Sequence, residues 1–387
     1  MKNVVEIKPE IFKWIINEFD QSIIGSKYSD LINDWLNDRK KPTYNQIDQL
    51  SKKLHIPFGY FFLEQEPKEE IKLLEFRTIY NDKYSKPSRD LIDTIFYMED
   101  IQTWMSEYKK EMGYESLKFV GNFKDSLNEI EPIVKSIRET LELKERWFED
   151  VRSRSDAYKL LKTKIEDKGI LIMSNGVVGN NTHRSLNIDE FRAFVIVDNF
   201  APLVFINDTD TQNAKIFSLI HEIAHVWIGR SNLFNSTYED NSNINIVEKK
   251  CNEIAAEIIV PTHVFKELWN RTKDNVYEKI CILSEHFKCS ETVIARRALD
   301  YKYINKIIYE EVQIKAIKEY RTSRKKNKGF GGNFYNTQNS RYDKNFIGAV
   351  YHSVNSGRIT YTDAYRLTKT NGKTFGKVVE ERALKNE

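Results

Sequence analysis

The residues of this sequence that could do chemistry together are concentrated in one short motif. His221 and His225 are four positions apart, and Glu222 directly follows the first histidine. Positions i and i+4 share one face of an α-helix, so both imidazoles can bind one metal ion. Glu222 lies about 100° around the helix from His221, where its carboxylate can reach a metal-activated water without binding the metal. The spacing is therefore typical of a zinc peptidase.

The residues around this motif predict a buried helix. Gly229 follows the last apolar residue and is the residue type that most often ends a helix. The alternative interpretation, two ordinary histidines on a structural helix, is disfavoured because buried polar side chains need partners. The apolar flanking residues are Ile216, Phe217, Ile220, Ala224 and Trp227.

Two histidines do not complete a zinc site, which needs a third protein ligand beside water. The metzincin spacing is excluded, because the residue six positions after His225 is a serine. A carboxylate from a second helix is the other common solution, and residues 247–261 predict such a helix, ended by a proline. Spacing alone does not choose among its candidates, which are Glu248, Glu253 and Glu257.

The helical period of this second segment favours Glu248. This residue lies on the face formed by the apolar residues, whereas Glu253 lies off that face and is expected in solvent. Asn252 is four positions after Glu248, so its amide could orient that carboxylate or a neighbouring histidine. The apolar residues that define the face are Cys251, Ile254, Ala255, Ile258 and Ile259.

Three short apolar runs upstream of the motif predict β-strands, at residues 169–173, 192–198 and 202–207. An exposed edge of such a sheet could pair with an extended substrate. The expected fold is α+β and predominantly helical, with a small β-sheet packed on the HExxH helix core and helical N- and C-terminal modules. Helical patterns elsewhere cover residues 9–19, 28–36, 43–54, 87–114, 127–141, 151–165, 277–299, 305–320 and 341–367.

Composition shifts divide the chain into four predicted parts. Residues 1–66 form a helical module and residues 67–165 a helical connecting region. Residues 166–328 form the zinc metallopeptidase core, with a trailing segment of helix-turn-helix type. A small helical tail, residues 329–387, follows a linker signal in which the basic run 321–328 precedes three glycines.

Charge and cysteine content narrow the class of protein. The 60 lysines and arginines nearly balance 57 aspartates and glutamates, so the net charge of +3 gives no global argument for nucleic-acid binding. Cys251, Cys281 and Cys289 form no CxxC pair and predict reduced thiols. The absence of a long apolar stretch argues against a signal peptide or membrane span, so a cytoplasmic protein without membrane contact is expected.

The N-terminal part resembles the second half of an Xre-type helix-turn-helix domain. The resemblance rests on Trp35, the basic turn at residues 39–41, Pro42 with Thr43, and the run at residues 55–63. It implies a helix-turn-helix fold over residues 1–66.

The first half of this part departs from the Xre pattern. Between Phe19 and Tyr28 there is room for only a short element, where that family has a full second helix. Asp30, Asp34 and Asp38 would also repel phosphates from the helix expected to read DNA. DNA binding and use as a degenerate module for protein contacts both remain open.

The segments around the metal motif resemble the ImmA/IrrE metallopeptidases, which are bacterial and phage proteins that cleave repressors. The resemblance rests on the HEIAH motif with residues 217–220 before it, and on the pattern E-x-x-C-N-x-x-A-A that starts at Glu248. Residues 191–194 and 198–207 match as well. The family's third ligand is the Glu four residues before the Asn, which is Glu248 here.

This resemblance implies a site with one zinc ion per chain, held by His221, His225 and Glu248. Glu222 would act as general base and Asn252 as a support behind the ligands. A second donor for the developing oxyanion is normally needed, and the loop candidates are His183, Arg184 and Tyr238. The remaining histidines, His55, His263, His286 and His352, are interpreted as structural or surface residues.

The function that follows is site-specific cleavage of a protein substrate, a transcriptional repressor or an antitoxin-like regulator, as expected for a protein of a phage or mobile element. The alternative is a DNA-binding regulator or antitoxin-like component in which the peptidase core serves protein binding. A general peptidase is disfavoured, because the accessory helical parts suggest one tethered target.

Overall fold

The structure is a computed structural model that describes residues 3–69, 87–126, 128–234, 246–326 and 341–384. Contacts between residues divide the chain into two compact units, Met1–Lys72 and Leu73–Glu387. The fold is α+β and predominantly helical, which confirms the predicted class.

The N-terminal unit is a small helical bundle around an apolar core. Its core includes the buried side chains of Phe12, Trp35 and Phe61. Thr43 starts the last long helix through a capping box with Gln46, as its place after a proline suggests. The helices are α1 Pro9–Glu18, α2 Gln21–Ile24, α3 Ser26–Leu36 and α4 Tyr44–Leu54, followed by a 3₁₀ turn at Phe58–Phe62.

Helices dominate the described residues of the larger unit. Most of them lie where helical patterns predict, with ends that differ by a few residues. Leu127, at the start of one predicted helix, lies outside the described residues. The helices are α5 Arg89–Glu111, α6 Glu131–Thr140, α7 Arg154–Asp167, α8 Gln212–Ile228, α9 Ile246–Ile259, α10 Thr262–Arg271, α11 Val276–His286, α12 Glu291–Asp300, α13 Lys306–Lys326, α14 Lys344–Asn355, α15 Tyr361–Thr368 and α16 Gly372–Val379.

The three predicted strands are present and form one sheet with a strand that was not predicted. They are β1 Leu171–Asn175, β4 Ala193–Ile196 and β5 Leu203–Asn207, and the addition is β6 Asn232–Phe234. The order is β1-β5-β4-β6, in which β1 is parallel to β5 and the other pairs are antiparallel. A separate hairpin, β2 Val177–Val178 with β3 Asn181–Ser185, was also missed because β3 is almost entirely polar.

The helix that carries the metal motif is the centre of the larger unit. Helix α8 packs against α7, α9, β4 and β5, so it is covered on nearly all sides. Its residues from Lys215 onward are buried except Phe217, which is partly buried. Thr211 caps its first turn, and Gly229 ends it in the left-handed conformation, as predicted.

A loop from the segment after α5 closes the C-terminal end of α8. The N–H groups of Gly121 and Phe123 donate to the carbonyl oxygens of Val226 and Trp227, at 2.9 and 3.1 Å. Carbonyl groups at a helix end otherwise have no partner within the helix. The loop therefore provides hydrogen-bond donors for two carbonyl groups of α8 directly after the motif.

The outer edge of β1 is closed by the C-terminal segment. Asp343 caps α14 through the N–H groups of Asn345 and Phe346, and its other oxygen accepts from Ile172 N at 3.1 Å. One buried carboxylate thus joins a helix start to a strand edge.

The C-terminal half differs from the sequence-based expectation at two helices. Helix α13 continues to Lys326, six residues beyond its predicted end at Tyr320, because lysine and arginine are good helix formers as well as linker residues. The glycine-rich stretch at residues 329–332 lies outside the described residues. Helix α16 was not predicted, because two of its eight residues are glycines.

We predict that Gly229→Ala destabilises the larger unit more than Gly113→Ala does. Both glycines have nearly the same left-handed φ, +77° and +76°. A Cβ at Gly229 would lie 2.7 Å from the Cα of Gly121, whereas nothing lies within 4 Å at Gly113. We expect a loss of about 1 kcal/mol for Gly113→Ala and about 3 kcal/mol for Gly229→Ala, measured by urea denaturation. Equal losses would show that the close approach does not constrain this helix end.

Candidate metal centre

Three side chains of the types that bind metal ions converge where α8 and α9 pack together. His221 and His225 lie one turn apart on α8, and Glu248 lies in the first turn of α9. The Nε2 atoms of the two histidines are 3.2 Å apart. Glu248 places Oε2 at 3.3 Å from His221 Nε2 and Oε1 at 3.2 Å from His225 Nε2. Among the described residues, no other three His, Cys, Asp or Glu side chains come together in this way.

These distances fit a single small metal ion. Ligand atoms bound tetrahedrally to zinc at about 2.0–2.1 Å lie about 3.3 Å from one another. The three separations between Nε2 and Oε atoms are 3.2–3.3 Å. Two imidazoles and one carboxylate are also a donor set that catalytic zinc sites use, with the fourth position left for water. The residues present therefore fit zinc.

Burial favours the protonation state of His221 that metal binding requires. His221 and His225 have relative exposures of 0% and 1%. Burial lowers the pKa of His221 and keeps its imidazole neutral, which is the form that binds metal. Burial raises the pKa of Glu248, but the two imidazoles beside it outweigh that effect, and the pKa of this carboxyl falls well below its usual value.

Asn252 orients one of the two histidines. Its side-chain oxygen lies 3.0 Å from His221 Nδ1 and accepts a hydrogen bond from the N–H at that nitrogen. The lone pair of the imidazole is then on Nε2, the atom that faces Glu248 and His225. The amide was expected to orient either Glu248 or a neighbouring histidine, and its contact is with the histidine.

Glu222 has the environment of a reactive carboxylate. Its side chain is fully buried, and neither carboxylate oxygen has a hydrogen-bond partner among the described residues. Burial, together with the nearby charge of Glu248, raises the pKa of Glu222 well above its usual value. Buried polar atoms without a protein partner are rare, and a catalytic role is one of the reasons for which they occur.

The other two carboxylate candidates have different partners. Glu253 forms an ion pair with Lys250 at 3.0 Å on the outer side of α9. Glu257 accepts from the backbone N–H of Thr262 at 2.9 Å and pairs with Arg297. Of the three candidates that spacing left open, only Glu248 contacts the histidines.

The candidates for an oxyanion donor are not brought to the metal centre by any described contact. His183 is exposed on β3. Arg184 binds Asp90 and Asp93 at 2.8 and 2.7 Å, so its guanidinium already has two partners on α5. Tyr238 lies outside the described residues. Local sequence could not reveal the Arg184 contacts, because the two aspartates lie more than ninety positions away.

The remaining histidines have the structural or surface settings that were expected. His55 ends α4 in the left-handed conformation. His263 is exposed and lies 3.3 Å from Glu145. His286 packs on Phe148, and His352 packs on Tyr108.

Acidic side chains pair with the basic turn of the N-terminal unit. Lys40 binds Asp34 at 2.7 Å, and Arg39 lies 3.9 Å from the same carboxylate. Lys41 binds Glu6 at 3.1 Å. These pairs reduce the positive charge that the turn could offer to phosphates, so DNA binding by this unit stays a prediction.

Comparison with known families supports the peptidase assignment for part of the chain. Residues 165–299 match the Peptidase M78 family model, described as the IrrE N-terminal-like domain. This region contains the sheet, α8 and α9, and the match supports a metallopeptidase type of function within the ImmA/IrrE resemblance. Residues 342–381 match a model described as a domain of unknown function, DUF8813.

No curated protein matches the chain at a significant level. Within the described residues, none of the helices combines the length and apolar character needed to cross a lipid bilayer.

We predict that Glu248→Gln releases metal, whereas Glu253→Gln does not. Both changes remove one negative charge from α9, but only the first removes a donor beside the histidines. Wild type and the Glu253 variant should retain about one zinc per chain after dialysis, and the Glu248 variant should retain far less. Elemental analysis measures this. Equal retention in all three proteins would exclude Glu248 as a ligand.

Proposed function

We propose that this protein is a zinc-dependent, site-specific endopeptidase that cleaves a regulatory protein. The observation that carries the proposal is the position of Glu222, a fully buried carboxylate beside the centre formed by two histidines and Glu248. A site that only held the fold together would not require this carboxylate, because it costs free energy and forms no ion pair among the described residues.

The chemistry of the site follows from the roles of its side chains. A bound zinc ion supplies a Lewis acid and increases the acidity of water near neutral pH. Glu222 takes one proton from the attacking water on a carboxylate oxygen as the new C–O bond forms. It then gives this proton to the leaving amine nitrogen as the C–N bond breaks. Its raised pKa suits both steps, because the carboxylate is a stronger base than one in solvent.

Histidine orientation supports the same reaction. Asn252 holds the His221 ring through Nδ1, and the ring cannot turn away without losing that 3.0 Å hydrogen bond. Such contacts behind metal ligands raise metal affinity and fix the ligand geometry. Their loss typically lowers metal affinity or activity about 10- to 100-fold. The amide therefore acts on the reaction through His221.

The sheet offers a place for an extended substrate. Its β1 edge carries the Asp343 carboxylate, which accepts from Ile172 N. Among the described strands, the opposite edge is β6, which begins three residues after Gly229 at the end of α8. A peptide added beside β6 would form main-chain hydrogen bonds in the way that peptides bind to exposed sheet edges. This arrangement favours a segment in extended conformation as the substrate.

The proposed substrate is a transcriptional repressor or an antitoxin-like regulator. This part of the proposal rests on the ImmA/IrrE resemblance and on the separate N-terminal unit, which could bind one chosen target. The product of a neighbouring regulator gene is the first substrate to test.

We predict that Glu222→Gln abolishes cleavage but keeps the metal. The amide cannot accept the proton, so the rate should fall by about 10²- to 10⁴-fold, while all three ligands remain. Cleavage of the regulator by purified protein and release of repression in cells are the two measurements. Glu253→Gln serves as the matched control and should behave as wild type.

The same variant separates the proposal from its alternative. If the core only binds a protein, Glu222→Gln and wild type should release repression equally. That result, with metal still bound, would contradict the peptidase proposal.

A further inference from the structure

An arginine at the end of the metal-binding helix carries a charge that no described residue neutralises. Arg230 directly follows Gly229, the residue that ends α8, and its side chain is exposed. Its backbone N–H donates to the carbonyl oxygen of His225 at 3.2 Å, which fixes the base of the side chain beside the last turn of the helix. Within the described part of the chain, its guanidinium forms no ion pair and no hydrogen bond.

Other arginines of the larger unit show what a guanidinium group normally binds in this protein. Arg184, Arg192 and Arg297 each bind a carboxylate. The planar guanidinium matches a carboxylate with two parallel N–H donors, and this pairing is among the stronger polar contacts in proteins. Arg230 offers the same donors to a group that is not part of the described chain.

The charge of Arg230 acts on a residue of the metal centre. Burial raises the pKa of the Cys251 thiol, the charges of Glu248 and Glu222 raise it further, and the charge of Arg230 lowers it. Cys251 lies three residues after Glu248 on α9. The same buried thiol is thus within electrostatic reach of the third metal-binding side chain, of the proposed general base and of this arginine. Arg230 therefore lies beside the metal centre.

The arginine also lies between the metal centre and the strand where an extended substrate would bind. Strand β6 begins at Asn232, two residues after Arg230. The hydroxyl oxygen of Ser231, between them, accepts a hydrogen bond from Val197 N at 2.9 Å, which holds the connection from α8 to β6 in place. A peptide that pairs with β6 and extends to the metal centre would therefore pass the guanidinium.

The spacing along the chain indicates which part of a substrate the arginine meets. Arg230 is five residues after His225, which corresponds to about 7.5 Å along a helix axis. An extended peptide advances about 3.3 Å per residue. The guanidinium therefore lies opposite a substrate residue that is separated from the cleaved bond by only a few positions.

We propose that Arg230 is a specificity-determining residue, which binds an acidic side chain of the substrate within about three residues of the cleaved bond. A lysine or arginine at that substrate position would be repelled, so the same contact selects against basic sequences. This inference rests on the proposed peptidase function and adds the chemical class of a substrate residue that the site selects.

A random peptide mixture tests this preference without knowledge of the natural substrate. Blocked peptides of random sequence are incubated with the zinc-loaded full chain, and mass spectrometry of the products gives the residue frequencies around each cut bond. Wild type should enrich Asp and Glu at one position near the cut. Arg230→Gln should lose this enrichment, and Arg230→Glu should favour Lys and Arg at the same position.

Arg152→Gln is the matched control. Arg152 is also exposed, forms no ion pair among the described residues, and lies just before α7. Its replacement removes the same charge from the chain and should leave the enrichment as in wild type. An equal loss in both variants would show a general effect of charge and would overturn the inference.

Paired substitutions in protein and peptide measure the contact directly. In the peptide that is cut best, the acidic residue is replaced by its amide. This change or Arg230→Gln should each lower kcat/KM about 10- to 100-fold, mainly through KM, and both together should cost no more than either alone. Zinc content should stay at about one per chain in every variant. Lower zinc content, or two losses that add, would show that Arg230 does not act through this contact.

The outcomes separate this inference from the function on which it rests. If wild type cuts neither the mixture nor the neighbouring regulator, the proposed peptidase function fails, and the inference fails with it. If wild type cuts either of them without a preference for an acidic residue that depends on Arg230, only the inference is contradicted.

Discussion

Burial of ionisable side chains on one central helix is the constraint on which the core of the larger unit depends. His221, Glu222 and His225 are almost wholly shielded from solvent, although each would be well hydrated at the surface. Removal of such groups from water costs several kcal/mol unless partners replace the solvent. Helix α9 supplies those partners for both histidines through Glu248 and Asn252. The packing of α8 on α9 is therefore required by the chemistry of α8 as much as by its apolar surface.

Glu248 shows how far local sequence can predict a site made from two helices. Its place beside the histidines follows from periodicity, because it shares a face with Cys251 and Ile254, and burial of that face against α8 brings the carboxylate with it. Helix starts were equally accessible to prediction. Ser290 and Thr360 cap α12 and α15 because their hydroxyl groups accept from the N–H groups three residues later, which is an interaction within a few residues of chain.

Contacts between distant parts of the chain could not be predicted in this way. Strand β6 has three residues and no apolar run, and its pairing with β4 depends on where α8 ends. The contacts of Arg184 with Asp90 and Asp93 join β3 to α5, and nothing in either segment indicates the other. The direct contact between Gly229 and Gly121 is of the same kind. A glycine pattern predicts a helix end, but the loop that covers it is set by the tertiary fold.

The C-terminal segment is joined to the sheet and to α5 by buried hydrogen bonds. Asp343 and Tyr342 make it part of the larger unit, the first by accepting from Ile172 N and the second by a 3.0 Å hydrogen bond with Tyr97 on α5. Burial raises the pKa of Asp343, yet the N–H groups of Ile172 and Phe346 stabilise its charged form. A strand edge that already binds a carboxylate cannot bind a second strand at that position. The region of unknown function at residues 342–381 therefore contacts the β1 edge of the sheet, which is the edge opposite β6.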